Sequence, residues 1–255
     1  MRIAVCVKHA VDETELRVNS SGRPLIEGAA AKMSTFDKNA VEEALRLRTA
    51  LAGEVVAYTV GSGEARKTLK EALAMGADRG VIVSADISTM DTLRTAELLS
   101  AALTMGGPFD VIICSEGSSD TYTGQVPPML AEVLGLPYVG YARVIEVTGK
   151  VAKVERSLED SVEVLEVPVP FLVSVVSEIN EPRYPTLIQI MQASKKPVDE
   201  INEDVLLRPS APLSVHVISM AAQKSVRKHI LIEGGAEDAA AKLIDALEEE
   251  GVLSK

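Results

Sequence analysis

Residues 54–84 read EVVAYTVGSGEARKTLKEALAMGADRGVIVS, a sequence that predicts one strand–helix–strand unit. Its two apolar runs, Glu54–Val60 and Gly80–Ser84, are short, nearly continuous in aliphatic residues and bounded by Gly, Asp or Ser. Strands buried on both faces of a parallel sheet have this composition. Between them, Ala65–Met75 places its apolar residues at helical spacing. The unit therefore predicts a right-handed βαβ crossover in a parallel sheet.

The first half of the chain repeats this alternation of strands and helices. Ile3–Val7 and Asp110–Cys114 are two further buried-strand patterns. Asp37–Leu51 and Thr89–Met105 have helical periodicity, and Ser34 with Asp37 is typical of a capping box. The pattern predicts an α/β fold with a doubly wound, mostly parallel sheet, in which ligands bind beyond the carboxyl ends of the strands.

The segment from 137 to 177 has a different pattern and predicts antiparallel strands added at the edge of the sheet. In its third strand Glu163 and Glu166 interrupt Val162, Val164 and Val167, an alternation that is typical of an antiparallel pair with the glutamates on a face in water. The four predicted strands are Tyr138–Val147, Lys150–Ser157, Ser161–Val167 and Phe171–Ser177.

The C-terminal part is irregular, and we predict a division into an α/β domain (1–200) and an extended arm (201–255). Residues 201–218 show little periodicity and are interpreted as a linker or an extended arm. Residues 225–234 fit one added strand. Ala236–Glu250 has a clear apolar stripe and predicts a terminal helix that packs on another subunit.

Composition and charge exclude several classes of function. The 255 residues carry a formal net charge of −11 and contain no Trp, so neither a basic footprint nor aromatic stacking for nucleic acid is expected. No apolar run approaches the roughly 20 residues that insert in a membrane. The chain opens directly as a strand, without the pattern of a targeting segment. Cys6 and Cys114 lie in apolar runs and are predicted to be buried free thiols, so a soluble, cytoplasmic protein is expected.

No nucleophile paired with a base can be assigned from the sequence. His9, His216 and His229 are far apart, and none has a Cys, Asp or Glu at metal-ligand spacing. This pattern favours a carrier or binding protein over a hydrolase.

The loop after the fourth strand, Ser115–Val126, is the best candidate for a binding site. Its glycines and hydroxyl residues let backbone N–H groups approach an anion near a helix N-terminus. Pro127 and Pro128 are tolerated in the first turn of that helix. An ordinary polar loop is the alternative. Neither a full dinucleotide fingerprint nor a P-loop is present.

Residues 180–196, NEPRYPTLIQIMQASKK, predict a loop followed by a short helix. Thr186 can cap a helix that starts at Leu187, with Lys195 and Lys196 in its last turn. The apolar stripe of this helix either packs on the protein's own core or is exposed for a partner.

Several blocks of the chain resemble, in order, the beta subunits of electron-transfer flavoproteins. The resemblance implies a nucleotide-binding fold of the flavodoxin-like or HUP type and a non-enzymatic electron carrier. It also implies an alpha subunit that holds most of the FAD, and docking on dehydrogenases such as acyl-CoA dehydrogenases. A quinone oxidoreductase or another acceptor would receive the electrons. The blocks are Ile3–Lys8, Phe36 with Asn39–Ala44, Ala72–Arg79, Thr123–Gln125, Val154–Arg156 and Asn180–Met191.

By the same resemblance, this subunit binds AMP structurally or, in electron-bifurcating members, a second FAD. Its Thr-Gly-Gln125 resembles the AMP-binding members, although Ser118-Ser119 precede a single Asp120 where many members have several Asp. The nucleotide-binding residues would be Cys6, Ser34, Thr35, Phe36, Asp37, Val60, Gly117, Ser118, Ser119, Asp120, Thr121, Thr123, Gly124, Gln125 and Val126, and the docking residues Tyr184, Thr186, Leu187, Ile188, Ile190 and Met191.

Two alternatives stay open. One is a bifurcating subunit with its own FAD. The other is a free-standing ATP-binding regulatory module on a similar sheet, although the Gly-rich triphosphate signature of such modules is absent between Gly106 and Val126.

Overall fold

The computed structural model describes residues 1–26, 28–206, 215, 217–222 and 229–253, which form an α/β structure around one large sheet. The four buried strands predicted in the first half of the chain are confirmed, each within one residue of its expected bounds. In chain order the strands are β1 (Arg2–Cys6), β2 (His9–Val11), β3 (Arg17–Val18), β4 (Pro24–Leu25), β5 (Ala31–Met33), β6 (Glu54–Gly61), β7 (Arg79–Ser84), β8 (Val111–Ser115), β9 (Tyr138–Thr148), β10 (Val151–Ser157), β11 (Val162–Pro168), β12 (Phe171–Val175) and β13 (Val198–Asn202).

The large sheet is mostly parallel, as predicted. Within the described residues its nine strands have the order β11-β10-β9-β12-β8-β1-β6-β7-β13. The neighbours from β9 to β13 are parallel, and β10 and β11 pair antiparallel at one edge. The chain moves outward from β1 through β6 to one side and through β8 to the other. This reversal places the carboxyl ends of β1, β6 and β8 at the edge where such sheets bind ligands.

Helices cover both faces of this sheet, because alternate residues of each central strand are apolar in both directions. Ile3 and Val5 join the core under the helices at 35–51 and 66–75, whereas Ala4 and Cys6 join the core under the helices at 92–106 and 126–134. The helices are α1 (Thr35–Leu51), α2 (Arg66–Met75), α3 (Thr92–Gly106), α4 (Val126–Leu134), α5 (Leu187–Ala193), α6 (Glu203–Leu206) and α7 (Ala236–Glu249), with 3-10 turns at Gly63–Ala65, Ile87–Thr89 and Ser177–Ile179.

The prediction of a capping box at the start of α1 is wrong. Ser34 is the N-cap residue, but its side chain makes no capping hydrogen bond. Its hydroxyl instead accepts the N–H of Ser119, and the Asp37 carboxylate accepts the N–H of Lys8. Both side chains that a local cap would use therefore form tertiary hydrogen bonds instead.

The predicted faces of β11 are also wrong. Val162 and Val164 are half exposed and share their face with the exposed Glu166. Glu163 lies on the opposite face, together with the buried Val167. The face of β11 that described residues cover carries Glu163, Leu165 and Val167, which is one valine fewer than the exposed face carries.

The C-terminal part combines predicted and unpredicted elements. β13 pairs in parallel with β7 and was not predicted as a strand. The terminal helix is confirmed as α7, although it buries none of its residues against described parts of the chain. Of the predicted strand at 225–234, residues 225–228 lie outside the described residues, and 229–234 are not a strand. Among the described helices, none combines the length and apolar content needed to cross a bilayer.

Candidate functional site

The loop after β8 lies at the carboxyl edge of the sheet, and its two halves have different surroundings. The first half, Ser115–Thr121, contacts α1 and the residues after β1. The second half, Thr123–Val126, leads toward the start of α3, where the Thr92 hydroxyl donates to Gln125 Oε1 at 2.9 Å. The predicted site residues therefore fall into two groups.

Asp37 is the centre of the first group. Its side chain is almost fully buried, Oδ2 accepts the Lys8 N–H at 2.6 Å, and Oδ1 lies 2.5 Å from Ser115 Oγ. Burial raises the pKa of Asp37 to about 7, against the lowering effect of these hydrogen bonds. Ser115 Oγ also lies 2.8 Å from the Gly117 carbonyl. A hydroxyl has one proton, so a protonated Asp37 that donates to Ser115 satisfies both contacts.

Lys8 holds the middle of the first half. Its ammonium group lies 2.7 Å from Asp120 Oδ1 and 3.3 Å from the hydroxyls of Ser118 and Thr121. Burial works to raise the pKa of Asp120, but the hydrogen bonds from Lys8 and Ser118 outweigh it and hold that pKa below its ordinary value. Lys8 was not among the predicted site residues. The sequence signal that could have identified Lys8 was a cation directly after a buried strand in a strongly acidic chain.

Ser34 and Ser119 close this half against α1. Ser34 is fully buried, and its hydroxyl accepts the Ser119 N–H at 3.1 Å. The Ser119 hydroxyl oxygen is itself buried and has no hydrogen-bond partner among the described residues. Thr35, by contrast, is exposed. The first half is thus closed mainly by protein contacts, and the Ser119 hydroxyl is the buried group that lacks a described hydrogen-bond partner.

The second half leaves its backbone donors open. The N–H groups of Thr123–Val126 donate no hydrogen bond to any described residue. Gly124 has φ +64°, and a Cβ there would lie 3.1 Å from the Glu116 carbonyl oxygen, so the turn requires glycine. Pro127 and Pro128 follow in the first turn of α4 and have no N–H to offer. The available donors therefore come from the loop and from the first residue of α4.

Open N–H groups next to a helix N-terminus are donors that can hydrogen-bond an anion. Cys6 and Val60, near the ends of β1 and β6, belong to the apolar core on the face of the sheet that α4 covers. Both cysteines are buried and reduced, as predicted, and hydrogen bonding to Cys6 together with burial raises the pKa of Cys114.

Phe36 belongs to a separate cavity of about 740 Å³ on the α1 side. Its ring lies 5.2 Å from that of Tyr122. Tyr122 and Tyr141 both have positive φ, 46° and 62°, which is uncommon for aromatic residues. The pairing of β9 with β10 shifts register beside Arg143. This shift is a β-bulge, and bulges of this kind change the direction of side chains at functional sites. Further lining residues include Glu116, Val144, Ser157 and Glu178.

Nothing in the periodicity of the sequence indicated this cavity. A bulge and the positive φ of Tyr141 inside a strand do not change the alternation of apolar residues, so neither feature can be recognised from the sequence. Burial raises the pKa of Glu116, so the cavity carries a carboxyl group that retains its proton to higher pH than usual. Three aromatic side chains line the cavity, Phe36, Tyr122 and Tyr141, and an apolar ligand can pack against them.

The segment 180–196 presents an exposed apolar helix. Thr186 caps α5 as predicted, and Gln189 completes a capping box. Leu187 is 80% exposed, so the interpretation of this stripe as the protein's own core is wrong. The other apolar side chains of the segment are exposed as well, namely Tyr184, Ile188, Ile190 and Met191.

The end of this segment differs from the prediction. α5 ends at Ala193, and its last turn contains no basic residue. Lys196 instead donates to the carbonyls of Leu73 and Ala77, at 2.9 and 2.6 Å, at the C-terminal end of α2. The cation therefore stabilises the dipole of a neighbouring helix rather than its own.

The profile of the electron transfer flavoprotein domain family matches residues 25–206. A relative from Thermoanaerobacterium thermosaccharolyticum, the electron transfer flavoprotein subunit beta, is 34% identical over 261 aligned residues, which cover 99% of this chain and all of the relative. The chain belongs to the electron transfer flavoprotein family. The resemblance stated from the sequence is thereby confirmed.

The flavoprotein match spans both candidate surfaces. Residues 25–206 include α1, the loop 115–126, the cavity beside Phe36 and the whole exposed segment 180–196. Membership of this family supports a role in electron transfer, and the family's name describes a carrier rather than a catalyst of a chemical conversion. No candidate metal cluster occurs among the residues that the structure describes.

Proposed function

We propose that this flavoprotein is the beta subunit of a heterodimeric electron carrier. It takes electrons from dehydrogenases such as acyl-CoA dehydrogenases and passes them to a quinone oxidoreductase or another acceptor. The observation that carries the proposal is the segment 180–196, with Leu187 exposed on a fully capped helix. An exposed leucine on an ordered scaffold is what an apolar pocket of a partner can accept as a hot spot.

The second half of the loop after β8 is proposed to bind the phosphate of AMP, with Cys6 and Val60 beside it, in a flavodoxin-like or HUP-type arrangement. The support is the run of open N–H groups at Thr123–Val126. Lys8 neutralises Asp120, which would otherwise repel a phosphate. The role proposed for the nucleotide is structural. A second FAD is the alternative ligand.

The cavity beside Phe36 is proposed to face the FAD that an alpha subunit holds. The flavin supplies the reversible uptake of electrons when it is bound. On this chain, the rings of Tyr122 and Tyr141 can pack on a flat aromatic system, and Arg143 can hydrogen-bond to its polar edge. The cavity opens to solvent on this chain, so a second surface is required to exclude water.

The arm that ends in α7 is proposed to pack on the alpha subunit. Leu243 and Ile244 are about half exposed on one face of α7, and within the described residues this face has no cover. Isolated apolar stripes of this kind are buried at permanent interfaces. The heterodimer is proposed to work in the cytoplasm.

Partner docking can be tested by replacing Leu187. Leu187→Ala is expected to weaken binding of the heterodimer to its dehydrogenase by about 2 kcal/mol or more, because a hot-spot anchor is lost. Since the side chain is exposed, the unfolding midpoint should stay near that of the wild type. Met105→Ala, a change at another exposed apolar residue at the end of α3, is the control. A large loss of thermal stability with unchanged dehydrogenase binding would contradict the proposal.

A further inference from the structure

Helix α1 carries a polar stripe that is buried although it does not face the sheet. Asn39, Glu42 and Glu43 lie at positions i, i+3 and i+4, so they share one side of the helix. Each residue is less than a tenth exposed. Burying two carboxylates and an amide is costly unless all are hydrogen-bonded. The chain that covers and satisfies them is Ser177–Arg183, the entry to the exposed segment 180–196.

The two asparagines bind each other's segments reciprocally. The Asn39 amide donates to the carbonyls of Ser177 and Asn180, at 2.9 and 2.8 Å. The Asn180 amide donates to the Asn39 carbonyl and to Glu43 Oε2, both at 3.0 Å. These bonds fix the backbone of the entry against α1 at the residue where the segment leaves the sheet.

Glu42 fixes the next turn of the segment. Its carboxylate receives Arg183 Nε at 2.7 Å and Nη2 at 2.9 Å, and it also receives the backbone N–H of Arg183 at 3.2 Å. A two-pronged contact of this kind sets orientation as well as distance. Burial works to raise the pKa of Glu42, but the bonds from Arg183 outweigh it and hold that pKa below its usual value. The side chain of Glu42 is only 8% exposed, so a docked protein cannot reach it.

The far end of the segment is fixed independently. Ala193 is buried at the end of α5, and Lys196 is bonded to two carbonyls at the end of α2. Between these two anchors, the apolar side chains of 184–191 point away from the protein. A free segment would pay for the ordering of each residue when it binds, about 1–2 kcal/mol for the backbone, and anchoring removes much of this cost.

We propose that Asn39, Glu42 and Glu43 are positioning residues that hold the docking segment in its binding conformation before any partner arrives. The proposal rests on the docking role of Leu187 proposed above. It assigns a function to a part of α1 that touches neither partner nor nucleotide. It also explains why the Asn180-Glu-Pro-Arg183 entry accompanies the Asn39–Ala44 block in one chain.

The test uses Glu42→Gln in the complete heterodimer, since the amide keeps the size of the side chain but loses its charge. If the variant lowers the fraction of segments in the competent conformation to a tenth, the apparent Kd for the dehydrogenase rises about ten-fold. The apparent KM of the dehydrogenase for this carrier should rise equally with unchanged kcat. Hydrogen exchange should accelerate within 184–191. Glu64→Gln, which alters an exposed ion pair with Lys67, is the matched control and should change none of these.

Arg183→Lys provides a second variant, which keeps the charge but loses the two-pronged contact of the guanidinium with Glu42. If the two residues act only through each other, the double variant should bind the dehydrogenase no more weakly than Glu42→Gln alone. Additive losses would mean that Arg183 contacts the partner directly, and would overturn the positioning role of the pair. Weaker binding without faster exchange at 184–191 would overturn it too.

Leu187→Ala separates this proposal from the proposed function. If Leu187→Ala weakens docking while Glu42→Gln leaves the Kd and the exchange rates at wild-type values, the positioning role fails and the docking role stands. If Leu187→Ala has no effect on docking, the proposed function itself fails.

Discussion

Two buried carboxylates on α1, Asp37 and Glu42, show how the same helix serves two surfaces in different ways. Asp37 has hydrogen-bond donors but no cation at ion-pair distance among the described residues, and burial raises its pKa to about 7. Glu42 accepts hydrogen bonds from the Arg183 guanidinium, and the pKa of Glu42 lies below its ordinary value. A desolvated carboxyl group without a cation takes up a proton, whereas a paired one keeps its charge. The loop after β8 should therefore respond to pH near neutrality, while the docking segment should not.

The largest effect is expected at Asp37. Because its folded pKa is raised, its contribution to stability is complete below about pH 4 and is lost as the pH rises through about 7. Asp37→Asn removes this dependence. The free energy of unfolding of the wild type, relative to Asp37→Asn, should fall by on the order of 3 kcal/mol between pH 4 and pH 8. Denaturant titrations at several pH values measure this difference.

Asp160→Asn, in an exposed turn, is the control for that series, since it removes a carboxyl group at the surface. A flat difference for Asp37→Asn would show that folding favours neither protonation state, and a difference that grows with pH would show that folding favours the charged form. The contrast between the two carboxylates of α1 would then be lost.

A smaller effect of opposite sign is expected at Glu42. Its folded pKa is lowered, so its contribution is present at neutral pH and is lost as the pH falls below the ordinary range of glutamate. Glu42→Gln should cost about 1–2 kcal/mol at pH 7, discounted because Arg183 is partly exposed to solvent. Unfolding at pH 3 should show a smaller difference from the wild type. A cost that grows toward low pH would contradict the ion-pair account.

The smallest change in stability is expected at Gly124. An alanine there must keep φ near +64°, which costs about 1 kcal/mol. Gly135→Ala is a matched control, since Gly135 has φ +65° with open space around it and lies at the other end of α4. Gly124→Ala should lose somewhat more stability than Gly135→Ala, because its Cβ would also lie 3.1 Å from the Glu116 carbonyl oxygen. Only Gly124→Ala should release the bound nucleotide from the purified heterodimer, and equal retention in both variants would argue against the loop as the phosphate site.

The sequence predicted the buried strands well and the short or charged ones poorly. β1 and β6 are continuous apolar runs, so their burial on both faces is visible directly. β13 contains Asp199 and Glu200, whose charges are paired with arginines of neighbouring elements, and such pairing cannot be seen in one segment alone. The two- and three-residue strands β2 to β5 are too short for any periodicity.

The candidate sites were predictable as segments but not as networks. The loop 115–126 and the segment 180–196 could be found from their composition and their resemblance to a family. The contacts that shape them join residues far apart in sequence, as between Lys8 and Asp120 or between Glu42 and Arg183. No local pattern encodes such pairs, because the sheet brings them together only after folding.

The central claim is that this chain, paired with an alpha subunit, binds one adenine nucleotide that is distinct from the redox flavin. Mass spectrometry of the small molecules released from a co-expressed and co-purified heterodimer tests it most directly. We predict one FAD and one AMP for each heterodimer. Two FAD molecules and no AMP would contradict the structural nucleotide and favour a bifurcating subunit, and a chain that purifies alone while retaining or hydrolysing ATP would contradict the carrier itself.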